Sequence, residues 1–108
     1  MSQVVFSRAA VEDRRAITAF TVERFGIDQA RRLRGHFEAT LERLVLFPNS
    51  GQLRPELDPE GRAFRYVVVS KSFILVYEAH GDVIRVARIL HGARQLAAEL
   101  GRDRGDED

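Results

Sequence analysis

The sequence predicts an α+β fold in the order β-α-α-β-β-β-(α), an antiparallel sheet with a helical hairpin packed on one face. Three observations support this prediction. The first half of the chain repeats apolar residues at helical spacing, whereas residues 62 to 89 are rich in β-branched and aromatic residues. A chain of 108 residues is long enough for one two-layer core and too short for two.

The chain begins with a predicted strand and the first of two helices. Val4 to Phe6 form a β-branched and aromatic run, and Ser7 suits the N-cap of a helix. From Ala9 to Phe25 the apolar residues follow an imperfect helical stripe, which another apolar residue at the position of Arg14 would complete. We expect the charged end of Arg14 to reach into solvent or to serve a partner.

The second helix has the clearest apolar pattern. Its apolar residues recur every three or four positions: Ala30, Leu33, Phe37, Leu41 and Leu44. Gly26 suits the C′ position of the first helix and Asp28 the N-cap of the second, so the two helices form an antiparallel hairpin with a two-residue connection. Pro48 and the turn signal at 49–51 end the second helix, and residues 54 to 61 predict an irregular loop.

Three predicted strands follow, joined by tight turns at Ser70-Lys71 and His80-Gly81. The central strand, Phe73 to Tyr77, is nearly continuously apolar, which indicates burial on both faces. Ala93 to Leu100 predicts a short final helix, and residues 101 to 108 form an acidic tail that we expect to be disordered. Residues 1 to 100 are therefore assigned to a single domain.

The helical hairpin covers only one face of such a sheet, because both helices follow each other in the chain and pack together. The other face also carries large apolar residues, and a small domain rarely leaves an apolar patch open unless something binds there. The pattern therefore predicts a polypeptide partner on the second sheet face.

The composition excludes several classes of function. The chain has no Cys, which excludes disulfides and thiolate chemistry, and its three His residues are too scattered for a metal site, so no metal or cofactor is expected. No apolar run is long enough for a membrane span or a signal peptide, and we expect a cytoplasmic protein. The formal net charge of +1 hides a basic segment at residues 61 to 94, with a net charge of about +4.

The basic segment contains the candidate residues for chemistry. His91 is a candidate acid or base near neutral pH, and Arg94 a candidate anion clamp. Strict strand alternation places Arg85 on the same face as His91 and on the opposite face from Arg88, unless a bulge intervenes. Arg88 shares its face with apolar residues, so we expect it to be partly buried with a carboxylate partner, Glu78 or Glu12.

The chain resembles the RelE/ParE superfamily of bacterial type II toxin–antitoxin toxins, most closely its ParE branch. The resemblance covers roughly residues 5 to 100 and departs from the family pattern at Arg14, where the family usually has a large aliphatic residue. The matching positions are Ser7, Ala10, Asp13, Ile17, Phe25, Gly26, Asp28, Gln29, Ala30, Leu41, Leu44, Pro48, Gly51, Arg65, Tyr77 and residues 88 to 94.

This resemblance implies a sheet flanked by a helical hairpin and a ParD-like antitoxin that wraps the toxin and buries its apolar surface in a hetero-oligomer. DNA would be contacted only through the antitoxin. The candidate antitoxin-binding residues are Arg14, Phe20, Phe73, Leu75 and Tyr77.

The resemblance also leaves two targets open. ParE-like toxins act on DNA gyrase, for which Arg85, His91 and Arg94 are the candidate contacts, whereas RelE-like toxins cut messenger RNA on the ribosome. For the second activity Arg65, Arg85 and His91 would be the catalytic set. With only one Lys and no aromatic residue after Tyr77, the sequence favours the gyrase inhibitor, which is not an enzyme, over the nuclease.

Overall fold

The computed structural model describes residues 3–92, which form two helices packed on one face of a five-stranded sheet. The elements are β1 (Gln3–Phe6), α1 (Arg8–Phe25), α2 (Ile27–Leu46), β2 (Gln52–Leu53), β3 (Arg65–Val69), β4 (Phe73–His80) and β5 (Val83–His91), with a short 3-10 helix at Pro55–Leu57. The predicted α+β class and element order are confirmed. The predicted final helix and the acidic tail lie outside the described residues.

The sheet has the strand order β1-β5-β4-β3-β2 and is mixed. The strands β3, β4 and β5 pair antiparallel as predicted, and β2 also pairs antiparallel with β3, but β1 runs parallel to β5, with Gln3 opposite Val83 and Phe6 opposite Val86. Each antiparallel turn reverses the direction of the chain. After the turns that precede it, β5 lies beside β1 and runs in the same direction as β1. The two-residue strand β2 was not predicted, because two residues are too few for a periodic pattern.

The caps of the hairpin helices show how closely the helices are joined. The Ser7 side chain accepts a hydrogen bond from the Ala10 N–H at 3.0 Å, which confirms the predicted N-cap of α1. Gly26, with a φ of +92°, donates its N–H to the Val22 carbonyl and is immediately followed by α2. The prediction of Asp28 as N-cap is wrong, because one glycine makes the whole connection and places Asp28 in the first turn of α2.

The two turns of the sheet are present, one of them displaced. Ser70 and Lys71 both adopt positive φ values, of 55° and 67°, but Val69 pairs with Phe73, so the first turn also includes Ser72 and has three residues instead of the predicted two. At the second turn His80 still pairs with Val83 at the end of β4, so the predicted His80-Gly81 turn moves one residue along the chain.

The main core lies between the hairpin and the sheet. Ala10 and Leu44 of the helices meet strand residues that are almost fully buried, namely Val69, Leu75, Tyr77, Ile84, Val86 and Ile89. A second, smaller core lies on the opposite sheet face and consists of Phe64, Tyr66, Val76, Ala87 and Leu90. β4 therefore has buried side chains on both faces, as predicted from its apolar run.

The prediction that the second sheet face is open to a partner is wrong over most of that face, because the chain covers it itself. Leu57 of the 3-10 helix packs against the second core. The Asp58 carboxylate holds the same loop in place by accepting hydrogen bonds from the Tyr66 hydroxyl at 2.7 Å and the Phe64 N–H at 3.2 Å. Loop residues without periodic spacing gave no sign of this cover in the sequence.

Candidate functional site

A β-bulge in β5 decides on which face the candidate residues of that strand lie. Ala87 has no paired residue in β4, so the strand carries one extra residue at this point. In consequence Val86 and Ile89 both point into the core beneath the hairpin, although they are three positions apart. The strict alternation assumed from the sequence fails here, because one additional residue exchanges the two faces for the rest of the strand.

The bulge separates Arg85 from His91. Arg85 pairs with Glu78 on the face opposite the hairpin, whereas the His91 ring stacks on the Phe73 ring, with 4.9 Å between centroids. Phe73 in turn contacts Phe37 of α2, which places this stack on the hairpin side. The prediction that Arg85 and His91 share a face is therefore wrong.

Arg65 is held in a cluster that fixes the loop between α2 and β2. Its Nη1 atom donates hydrogen bonds to the carbonyl oxygens of Asn49 at 3.1 Å and Gly51 at 2.9 Å. The buried Tyr77 hydroxyl donates to the Pro48 carbonyl at 2.7 Å and accepts from the Gly51 N–H at 2.9 Å. We call Arg65, Tyr77 and the loop at 48–51 the loop clasp; its bonds give Arg65 and Tyr77 a structural role.

The three residues of the nuclease alternative do not come together. Arg65 belongs to the loop clasp, and Arg85 lies on the other sheet face from His91. The β4 partners of Arg65 and His91 are four positions apart, which separates the two residues by about 13 Å along the strand. The described residues therefore do not form the predicted catalytic set.

Arg88 has the carboxylate partner expected of it, but the partner is Asp13. The Arg88 Nε and Nη2 atoms donate to Asp13 Oδ2 at 2.8 Å and Oδ1 at 3.1 Å, and the Ile89 N–H donates to Oδ2 at 2.9 Å. Glu78 and Glu12 were the wrong choices, because β1 pairs only with residues 83–86 of β5 and α1 places Asp13 at the open edge beyond them. Asp13 thus joins α1 to β5.

Glu78 is the centre of a charged cluster on the face opposite the hairpin. Its Oε2 atom accepts a hydrogen bond from Arg62 and lies 3.9 Å from Arg85 Nη1, while Oε1 lies 2.7 Å from His80 Nε2. Burial alone would raise the pKa of Glu78, but the hydrogen bonds from His80 and Arg62 outweigh burial and lower its pKa below the ordinary value.

This lowered pKa predicts a pH-dependent contribution to stability. Because the pKa of Glu78 is lower in the folded than in the unfolded chain, its contribution is present above the unfolded value and is lost as pH falls through the folded value. We expect Glu78→Gln to lower the free energy of unfolding by about 1 kcal/mol at pH 7, and the difference from the wild type to shrink as pH falls below 4.5. Urea unfolding from pH 7 to pH 3 measures both; a difference that is constant with pH would contradict the prediction.

An open groove of about 680 Å³ lies on the hairpin between α1 and α2. Its floor is apolar and consists of side chains from both helices and the sheet: Ile17, Leu33, Phe37, Leu41, Leu75 and Ile89. Four arginines, Arg14, Arg15, Arg31 and Arg34, also line the groove, together with a single acidic residue, Glu38. We call this site the arginine-lined groove; it combines a floor suited to apolar side chains with excess positive charge.

The candidate antitoxin-binding residues are distributed unequally around this groove. Arg14 and Leu75 line it, although Leu75 has no exposed surface, and Tyr77 is fully buried in the loop clasp. In the free toxin Leu75 and Tyr77 are covered by the rest of the chain, in agreement with the predicted burial of β4 on both faces. Phe20 is 45% exposed and contacts Phe25 at the tip of the hairpin, with 6.4 Å between ring centroids.

A second cavity of about 310 Å³ lies between the hairpin tip and the turn that joins β3 to β4. It is lined by Phe20, Phe73 and His91 of the predicted residues and by neighbours that include Phe25 and Ser72. The structure therefore brings these three candidates together near the end of β5. Arg94, the remaining candidate, lies outside the described residues.

Sequence reasoning missed the other arginines of the groove. Arg31 and Arg34 are three positions apart on α2, and Glu38 follows after four, so all three fall on one side of that helix. Their spacing contained the signal, but helix–helix geometry is needed to see that Arg15 of α1 faces the same groove.

Within residues 3–92 no three His, Cys, Asp or Glu side chains are grouped as metal ligands would be. No helix in this part of the chain has both the length and the apolar character to cross a membrane.

Comparisons with known proteins agree with the geometry. The model of a family described as the ParE toxin of the type II toxin–antitoxin system, parDE, matches residues 4–96. Toxin ParE3 of Caulobacter vibrioides is 29% identical over 102 residues, which are 94% of this chain and 98% of the relative. A solved structure titled as the chromosomal ParDE system from P. aeruginosa has a TM-score of 0.67 and 23% identity, over 84% of this chain and 96% of that one.

Proposed function

The chain belongs to the ParE toxin family of type II toxin–antitoxin systems, and from this premise we propose that it inhibits DNA gyrase by binding and is neutralised by a ParD-like antitoxin. The inhibitor is not an enzyme in this proposal. Its target acts on the chromosome, so the toxin would act in the cytoplasm.

The dispersal of the nuclease set is the observation that most favours an inhibitor. Cleavage through a 2′-hydroxyl requires a base, an acid and cations around one phosphate, within hydrogen-bond reach of the reacting atoms. Arg65 is bonded to two loop carbonyls, and Arg85 lies across the sheet from His91. Binding to a protein target has no such requirement, because contacts spread over a surface are sufficient.

The arginine-lined groove is the proposed docking site of the antitoxin. An antitoxin segment would place apolar side chains against the floor, as helices do in other apolar grooves. The formal net charge of +1 supports a toxin that reaches DNA only through its antitoxin in a hetero-oligomer, because phosphate contacts require a strong positive charge.

The proposed gyrase contact lies at the end of β5, at His91 with Arg94 following it in the chain. Arg85 was a candidate for the same contact, but the bulge turns it to the opposite face. His91 and Arg85 lie on opposite faces and cannot both belong to one flat contact surface. We propose that His91 and Arg94 form the contact, and Arg85 serves as the control position.

Supercoiling of relaxed plasmid by purified gyrase tests the proposal. We expect the toxin to inhibit supercoiling, and a ParD-like antitoxin that binds the toxin to restore it. His91→Ala removes one contact and should raise the toxin concentration for half-inhibition about tenfold. Arg85→Ala should leave this concentration nearly unchanged.

The same preparation added to a translation extract provides the control for the alternative activity. Intact transcripts together with inhibited supercoiling are the expected result. Full supercoiling at saturating toxin, with cleaved transcripts in the extract, would overturn the inhibitor and establish the nuclease.

A further inference from the structure

Arg14 occupies an unusual position for a charged side chain. Its guanidinium carbon lies 4.7 Å from the centroid of the Phe6 ring, so the ring holds the charge against the groove wall by a cation–π contact. Arg31 and Arg34 face Asp28 and Glu38, respectively, whereas Arg14 forms no ion pair with any residue that the structure describes.

The Arg14 guanidinium has hydrogen-bonding capacity left for a ligand. The contact with Phe6 uses none of its N–H donors, and within residues 3–92 its side chain forms no hydrogen bond and no ion pair. A planar fork of this kind matches a carboxylate in a bidentate pair. With four arginines and one glutamate along the groove, the local charge favours an acidic ligand.

The groove also restricts the conformation of its occupant. Most of its lining comes from the side chains of the two helices, whose backbone groups are already hydrogen-bonded within the helices. A helix satisfies its own backbone groups and needs only side-chain contacts from such a surface, so a helix is the occupant that fits it. From Ile27 to Leu41 the α2 side of the groove spans about 21 Å, which is the length of roughly 14 helical residues.

We propose that Arg14, held against Phe6 by the cation–π contact, selects the partner of the arginine-lined groove by pairing with a carboxylate on an acidic amphipathic helix. This inference rests on the proposed antitoxin site and names the chemistry that the site recognises. Arg14 is a specificity-determining residue: it rejects helices with a similar apolar stripe that lack an acidic residue opposite it.

Binding of synthetic helical peptides tests the role of Arg14 without an identified antitoxin. Each 20-residue peptide carries one leucine stripe and a single Glu at one flanking position, and its matched peptide carries Gln at that position. Their affinities are measured by fluorescence anisotropy for the wild-type protein, Arg14→Leu, and Arg32→Leu, whose arginine lies on α2 outside the groove lining.

We expect one Glu position, or two adjacent ones, to bind the wild type about tenfold more tightly than its Gln counterpart at low salt. Arg14→Leu should abolish this preference and Arg32→Leu should keep it, and Arg14→Lys should retain only part of it because the planar fork is lost. Added salt should reduce the ratio of the affinities for the Glu and Gln peptides in the wild type. In Arg14→Leu this ratio should not change with salt.

Three results would overturn the inference: equal affinity for all Glu and Gln pairs, a preference that survives in Arg14→Leu, or no binding of any peptide by the wild type. Ultracentrifugation of the free toxin provides a further check, because a dimer that the peptide dissociates would assign the groove to a second copy. If an antitoxin restores supercoiling equally well with the wild type and with Arg14→Leu, the selecting role of Arg14 is refuted but the proposed function is not. Absence of gyrase inhibition would refute the proposed function and leave the peptide preference intact.

Discussion

Replacement of Asp13 by Ala is expected to lower the free energy of unfolding by about 3–5 kcal/mol, a large share of the stability of a domain of this size. The carboxylate accepts two hydrogen bonds from Arg88 and one from the Ile89 N–H. Both charged side chains are mostly buried, with 15% of Asp13 and 19% of Arg88 exposed. Removal of the carboxylate would take two hydrogen bonds from the mostly buried Arg88 guanidinium and leave the strand-edge N–H of Ile89 without its acceptor.

Urea unfolding of the free toxin measures this effect. Asp13→Asn, which keeps one oxygen acceptor but not the charge, should have an intermediate effect. Glu38→Ala is the matched control, because it removes an exposed i,i+4 pair with Arg34 and should cost only about 0.3–0.5 kcal/mol. A change of less than about 1 kcal/mol for Asp13→Ala would show that the α1–β5 connection contributes little.

The second large effect is expected at Gly51, where a side chain has no room. A Cβ atom at this position would lie 2.6 Å from the Cε1 and hydroxyl oxygen of Tyr77, inside the loop clasp. Gly51→Ala should therefore lower the free energy of unfolding by about 1–3 kcal/mol through overpacking, as the buried Tyr77 ring has no free space to move into.

Gly35→Ala is the matched control in the same chain. Gly35 lies inside α2, where an added methyl group would meet no neighbouring element within 4 Å, and alanine should raise stability by up to about 1 kcal/mol through its higher helix propensity. Tyr77→Phe removes the hydroxyl that Gly51 bonds, so the double variant with Gly51→Ala should lose less than the two single changes together. Equal stability of Gly51→Ala and Gly35→Ala would contradict the close packing of the clasp.

The parts of the fold set by local patterns were predictable. The hairpin follows from apolar residues three or four positions apart, and the Ser7 cap from a preference that acts over a single turn. The β4 strand is buried on both faces because its apolar run has no polar alternation.

The site was less predictable, because single residues and distant contacts determine it. Ala87 is an ordinary strand residue in the sequence and gives no indication of the bulge, which places Arg85 and His91 on different faces. The pair of Asp13 and Arg88 joins residues 75 positions apart, which no local pattern encodes. The resemblance singled out Gly51, Arg65 and Tyr77, and the loop clasp gives the physical reason for their association.

The parallel pairing of β1 with β5 has a consequence for synthesis on the ribosome. The Ser7 hydroxyl donates to the Ala87 carbonyl, a contact between residues 80 positions apart. The first strand therefore finds its place only after the last strand has been made, whereas the hairpin has all its local contacts much earlier. A nascent chain stopped before β5 lacks Ile84, Val86 and Ile89 of the main core, so part of the apolar surface of the helices stays exposed and can promote aggregation. Because β1 pairs only with β5, the sheet is complete only after β5 has been synthesised.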